Sequence, residues 1–138
     1  MVPRYKKITN LPRENGVEVI EVDCDGNVDE LLPLWLEAGI SCIHPVEVAA
    51  GMDPVKLRKK YGRNLIITGG IDKRELAKSR AAVDGQVDIV REMIKHGGYF
   101  VQSDHHLPEN ISYENLVYFI NEVNKLGAYE EFRRMVEL

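Results

Sequence analysis

The sequence predicts an α/β fold of four consecutive βα units with parallel strands, and three observations point to it. A single pattern recurs four times: a glycine, a short apolar run, a polar cluster, then a capped segment of helical spacing. The glycines that precede the apolar runs are Gly16, Gly39, Gly62 and Gly98. Each polar cluster falls at the carboxyl end of its run, and strands that alternate with helical segments form parallel sheets with right-handed crossovers. No linker or low-complexity tract divides the 138 residues, so residues 1–138 are expected to form a single domain. Its 44% hydrophobic content suffices for a real core.

Residues 5–14 read as a short polar helix weakened by Asn10 and Pro12, and Gly16 releases the chain into a first strand over 17–22. Asn27 or Asp29 can cap the next helix, which carries Leu31, Leu32, Leu34, Trp35 and Leu36. Pro33 fits there only in the first turn. Gly39 ends that helix, and a second strand over 40–43 gives way to His44, Pro45 and Glu47. Asp53 and Pro54 then supply an N-cap and a first-turn proline for a helix over 55–61. The third strand, 65–67, breaks at Thr68-Gly69-Gly70. Asp72 with Glu75 makes a start resembling a capping box, and helical sequence runs to His96 with a bend near Ser79. The fourth strand, 99–102, is followed by Ser103-Asp104-His105-His106-Leu107-Pro108. Ser112 caps a helix in which Leu116, Val117, Phe119, Ile120, Val123 and Leu126 share one side. Gly127 ends it, and a last short helix is expected over 128–135.

All four polar clusters lie at carboxyl ends of strands and therefore share one end of the sheet, where α/β folds bind ligands. Asp23 and Asp25 are two residues apart, so on a regular strand both point the same way and can hold a hard cation or share protons. The structural alternative is that Asp25-Gly26-Asn27 is a turn and helix cap. A calcium loop is excluded, because the remaining oxygen ligands and the terminal glutamate are missing at the required spacing. His44 and Glu47 can add a nitrogen and an oxygen ligand or form an acid/base pair. Gly69 and Gly70, with Lys73 and Arg74 nearby, can cradle an anion on backbone N–H groups; a tight turn is the alternative, and P-loop spacing is absent. Asp104, His105 and His106 put a carboxylate and two imidazoles in one loop, a set suited to proton transfer or metal ligation near neutral pH. Cys24 and Cys42 sit in apolar runs outside any Cys-x-x-Cys pair, which suits buried reduced thiols.

With 18 Lys and Arg against 22 Asp and Glu, the net charge of -4 gives no general attraction for nucleic acid or an anionic membrane. No apolar run approaches the ~20 residues of a membrane span, and no apolar stretch follows Arg4, Lys6 and Lys7 as in a secretory leader. A cytoplasmic protein is expected.

A full (β/α)₈ barrel takes about 250 residues, so four βα units here amount to half of a TIM barrel. Four parallel strands alone leave two unpaired edges. The chain is therefore expected to pair with another half, as a homodimer or with a complementary half-barrel, or else to fold as a small open doubly wound sheet.

Four ordered stretches, 22–27, 45–53, 69–73 and 98–115, together resemble the carboxyl-terminal half of the uroporphyrinogen decarboxylase superfamily. The resemblance covers essentially the whole chain and implies a (β/α)₈ barrel of roughly twice its length. It also implies a small-molecule substrate, either a tetrapyrrole to be decarboxylated or a methyl donor or acceptor served through a corrinoid protein. In the methyltransferases of that superfamily a His-x-Cys-Gly motif and a later cysteine hold zinc. The first motif falls here on Asp23-Cys24-Asp25-Gly26 and the later cysteine near Asp104 or His105, so none of the three ligand identities is kept. A divalent metal, zinc or manganese, would then be held by the harder set Asp23, Asp25 and His105. In the decarboxylases the last loop presents a histidine to the substrate, and His105 is its counterpart. Their catalytic aspartate and substrate-gripping arginines lie in the amino-terminal half. The catalytic candidates are thus His105, Asp104 and Glu47, with a non-catalytic assembly subunit as the competing expectation.

Overall fold

The computed structural model describes residues 1–126; the Gly127 stop and the helix expected over 128–135 lie outside them. Four strands, β1 (Glu21–Asp23), β2 (Cys42–Val46), β3 (Ile66–Gly69) and β4 (Tyr99–Phe100), form one sheet in the order β1-β2-β3-β4 with every pair parallel. Helix α1 (Val2–Glu14) precedes the sheet. Helices α2 (Leu32–Glu37), α3 (Pro54–Tyr61), and α4 (Lys73–Leu76) with α5 (Arg80–Ile94) join successive strands, and α6 (Tyr113–Lys125) follows β4.

The helix boundaries follow from local chemistry. Asp53 accepts from Val55 N at 2.9 Å and Lys56 N at 3.0 Å, and Pro54 occupies the first turn of α3 without forfeiting a hydrogen bond. The bend expected near Ser79 is the break between α4 and α5, where the Ser79 hydroxyl accepts from Ala82 N at 3.3 Å. Ser112 caps α6 by accepting from Asn115 N at 3.2 Å. Pro33 lies in the first turn of α2, as its geometry requires.

The strands depart from the apolar runs that announce them. β1 begins at Glu21 rather than Val17, because the carbonyls of Val17 and Glu18 accept from the Arg13 guanidinium instead of a neighbouring strand. Val17 and Val19 are consequently exposed. β2 extends to Val46 rather than stopping at Ile43: His44 O accepts from Cys24 N at 2.8 Å and Val46 O from Gly70 N at 3.0 Å. The β2–β3 register shifts between Ile43 and Val46, where Pro45 has no N–H to offer the ladder. β4 is only two residues long, but Ser103 rejoins the sheet through a parallel bridge to Ile71.

Alternation along the strands divides the sheet into two unlike faces. On one, Ile43 and Ile67 are buried with Leu32, Trp35, Leu57 and Met93 of the connecting helices, and Val22 packs against them. A second cluster, Ile71, Leu76, Val83, Val87, Val90 and Phe119, joins α4, α5 and α6. Sequential strand order with right-handed crossovers carries the connecting helices to this one face. The other face presents Glu21, Asp23, Cys42, His44, Thr68 and Phe100. Here Asp23 is 76% and Phe100 57% exposed. At its centre Glu21 Oε2 accepts from Thr68 Oγ1 at 3.3 Å and from Cys42 Sγ at 3.2 Å. Burial, and next to it the Glu21 carboxylate, pushes the Cys42 thiol up to about 11, against an easing hydrogen bond from Thr68. Both cysteines are free, Cys42 buried and Cys24 half-buried. No helix among the described residues is long and apolar enough to cross a membrane.

Candidate functional site

The carboxyl ends of the strands surround a cleft of about 400 Å³, within the range of small-molecule sites. Asp23 and Asp25 line it from the end of β1, His44 and Pro45 from β2, and Gln102, Ser103, His105, His106 and Leu107 from the segment after β4. The register Asp23↔His44 sets the first carboxylate beside the first imidazole, with Asp23 Oδ1 3.8 Å from His44 Nδ1. A second pair forms across the mouth, with Asp25 Oδ1 3.8 Å from His105 Nε2. Gln102 Nε2 lies 3.0 Å from His44 Nε2. If the amide donates there, the neutral ring carries its proton on Nδ1, facing Asp23. The His105 and His106 rings meet edge to face at 4.8 Å.

The loops around the cleft are tied together by the other two acidic candidates. Glu47 Oε2 accepts from Gly26 N at 2.8 Å, joining the loops after β1 and β2. Asp104 is fully buried and joins three loops. Its Oδ2 accepts from Val48 N at 3.2 Å, its Oδ1 from Lys73 N at 3.3 Å, and Lys73 Nζ lies 3.4 Å from Oδ1. The Asp104 N–H donates to Ile71 O at 2.8 Å, which turns the side chain away from the cleft. Asp104 therefore holds the rim and does not line the cleft. Glu47 spends an oxygen on the same task.

Gly69 and Gly70 serve close packing. At φ +96° a Cβ on Gly69 would stand 2.9 Å from Val46 N, and at φ +80° one on Gly70 would stand 2.7 Å from Pro54 Cγ. The Gly70 N–H is committed to Val46 O, and Gly69 O accepts from the Tyr99 hydroxyl at 2.9 Å, so the pair forms a tight turn rather than an open anion cradle. Beyond Ile71, Asp72 caps α4 and grips Arg74 through both oxygens; that guanidinium holds the Asp72 carboxyl below the usual carboxylate range.

The structure thus brings Asp23, Asp25 and His105 to one cleft but in two carboxylate–imidazole pairs. Among the described residues no three His, Cys, Asp or Glu side chains group closely enough to hold a metal ion. The expected zinc or manganese set does not fit this arrangement. Gln102 and Ser103 were not singled out by sequence reasoning. The signal for Gln102 was its parity with Phe100 at the end of the fourth strand, which puts it on the face of His44. Ser103 Oγ donates to His105 O at 2.5 Å and so sets the start of the histidine loop. Neither a protein-family model nor a curated protein matches the sequence.

Proposed function

We propose that the chain is the carboxyl-terminal half of a uroporphyrinogen decarboxylase-like (β/α)₈ barrel, closed by a second copy, with a small-molecule site in the cleft at the strand ends. The observation that carries this reading is the sequential parallel order β1-β2-β3-β4 joined to a sheet face left open and polar. A doubly wound sheet reverses its order at a switch point, whereas a barrel adds each strand beside the last. Among the described residues no strand pairs with the outer edges of β1 and β4, so a two-fold axis would close eight strands through two identical β4–β1 seams, all parallel.

Within such a site His105 is the proton-transfer group, facing Asp25 across the mouth, and His44 is the better-held second imidazole, oriented by Gln102 and Asp23. Both are suited to protonating a carbon or a leaving group on a tetrapyrrole or a methylated substrate. No step is assigned to a metal. A second reading, an assembly half without catalysis, is favoured by Glu47 and Asp104, two of the three expected catalytic groups, being engaged with backbone N–H groups.

The test is turnover by the full chain of uroporphyrinogen, with loss of carboxyl groups followed by chromatography, and of a methylated corrinoid with a thiol acceptor. Turnover of either that falls about 10²-fold or more in His105→Gln, the scale of a lost general acid or base, supports the enzymatic reading. No turnover of either, with the fold intact, leaves the assembly reading.

A further inference from the structure

At the opposite end of the sheet, before β3 and β4, a second pocket of about 310 Å³ is lined by Arg58, Lys59, Gly62, Arg63, Lys95 and His96. Four formal positive charges and a histidine on one pocket stand out in a chain of net charge -4. The Arg58 guanidinium forms its base. The side chain is 5% exposed and donates to the carbonyls of Gly62, of Leu65 at 3.0 Å and of Gly98 at 2.6 Å, fixing the turns that enter β3 and β4.

Part of this charge has a structural explanation. The carboxyl ends of α3 and α5 open on the pocket, and cations in a last helical turn answer the negative end of the helix dipole. That accounts for Lys59 and Lys95; Lys95 also pairs with Glu92 at 2.8 Å, while His96 faces the same carboxylate at 3.5 Å. Arg63 is outside both helices, in the turn Gly62–Asn64. Among the described residues neither Arg63 nor Lys59 forms an ion pair, although Lys56, Lys60 and Lys73 nearby all do. The Arg63 guanidinium lies against the backbone of Gly97, where a Cβ would come within 3.4 Å of Nη2. Its proximity to Arg58 works with burial, the larger cause, to lower the Arg58 pKa, so the two guanidiniums repel each other. An anion between them removes that repulsion.

We propose that this pocket binds a small phosphate-bearing anion, with Arg63, Lys59 and Lys95 reaching its oxygens beside the buried Arg58. A guanidinium fork matches phosphate geometry, and the volume lies at the small end of ligand sites. The site stands independently of the cleft and of any barrel closure.

The test is calorimetric titration of the full chain with inorganic phosphate and with pyrophosphate at fixed ionic strength, alongside amide spectra of the labelled protein. Saturable binding of either, with shifts at Gly97, Gly98 and Arg63, is expected. The exposed double variant Lys59→Gln/Arg63→Gln should bind about tenfold or more weakly while its melting temperature falls by only a few degrees or less, the scale of a lost helix-end cation. Absence of saturable binding to both anions, equal binding by the double variant, or shifts confined to the His105–His106 loop would overturn the proposal. His105→Gln should bind phosphate as the wild type does, so loss of the catalytic reading leaves this one standing.

Discussion

The two faces of the sheet are built from the same strands and obey opposite rules. On the helix-covered face Ile43 and Ile67 are almost wholly excluded from water. On the open face, residues one step along the same strands are Glu21, Asp23, His44 and Phe100. Phe100 remains 57% exposed, and the small side chains Cys42 and Thr68 are sheltered by Glu21. Period-two alternation alone explains which residues go where. The covered face carries the apolar core, and the open one carries acidic, imidazole and partly exposed aromatic side chains.

The largest expected effect lies at the rim where the two faces end. Asp104→Ala leaves Lys73 half-sheltered without its carboxylate and frees two backbone N–H groups, and should cost about 3–5 kcal/mol in a denaturant titration. A loss under about 1 kcal/mol would show that the three loops do not depend on it. On the covered face, Ile67→Ala should cost about 2–5 kcal/mol, since Ile67 is 0% exposed.

The open face gives a smaller, pH-dependent effect through Cys42. Its thiol is raised from 9.0 to about 11 in the fold, so above about pH 9 the unfolded chain ionises while the folded chain keeps its proton. Stability should therefore decline from pH 9 to 11, by at most about 2–3 kcal/mol from this thiol, and in Cys42→Ala the decline should be smaller and begin nearer pH 10, where the unfolded chain ionises Tyr99, whose hydroxyl burial also pushes up. A flat alkaline profile in the wild type would contradict the burial of that thiol. The smallest effect on stability is expected at Phe100→Arg, within about 0.5 kcal/mol for an isolated chain, because the ring has little to lose there.

The contrast between faces also explains what was legible in the sequence. Four glycine-headed apolar runs and the caps of the later helices were enough to give parallel βα units, because Asp53-Pro54, Ser79 and Ser112 act through bonds only two or three residues long; α2 instead begins after Leu31 without a side-chain cap, so neither Asn27 nor Asp29 caps it. Strand limits were not legible where a distant group intervened, as Arg13 does at Val17 and Glu18. At the site, Asp23, Asp25 and His105 reach the cleft as their positions at strand ends suggest. Their division into Asp23–His44 and Asp25–His105 pairs depends on inter-strand register, which no local spacing encodes. Asp104 differs from His105 by one residue, and only the bridge of Ser103 to Ile71 determines that the carboxylate turns inward while the imidazole faces the cleft.

Whether the open face is the inner wall of a barrel completed by a second copy is decided by sedimentation equilibrium of the full chain and of Phe100→Arg. The wild type should sediment at twice the chain mass at micromolar concentration, and Phe100→Arg as a folded monomer. A wild type that stays monomeric up to the highest concentrations examined would contradict closure by a second copy.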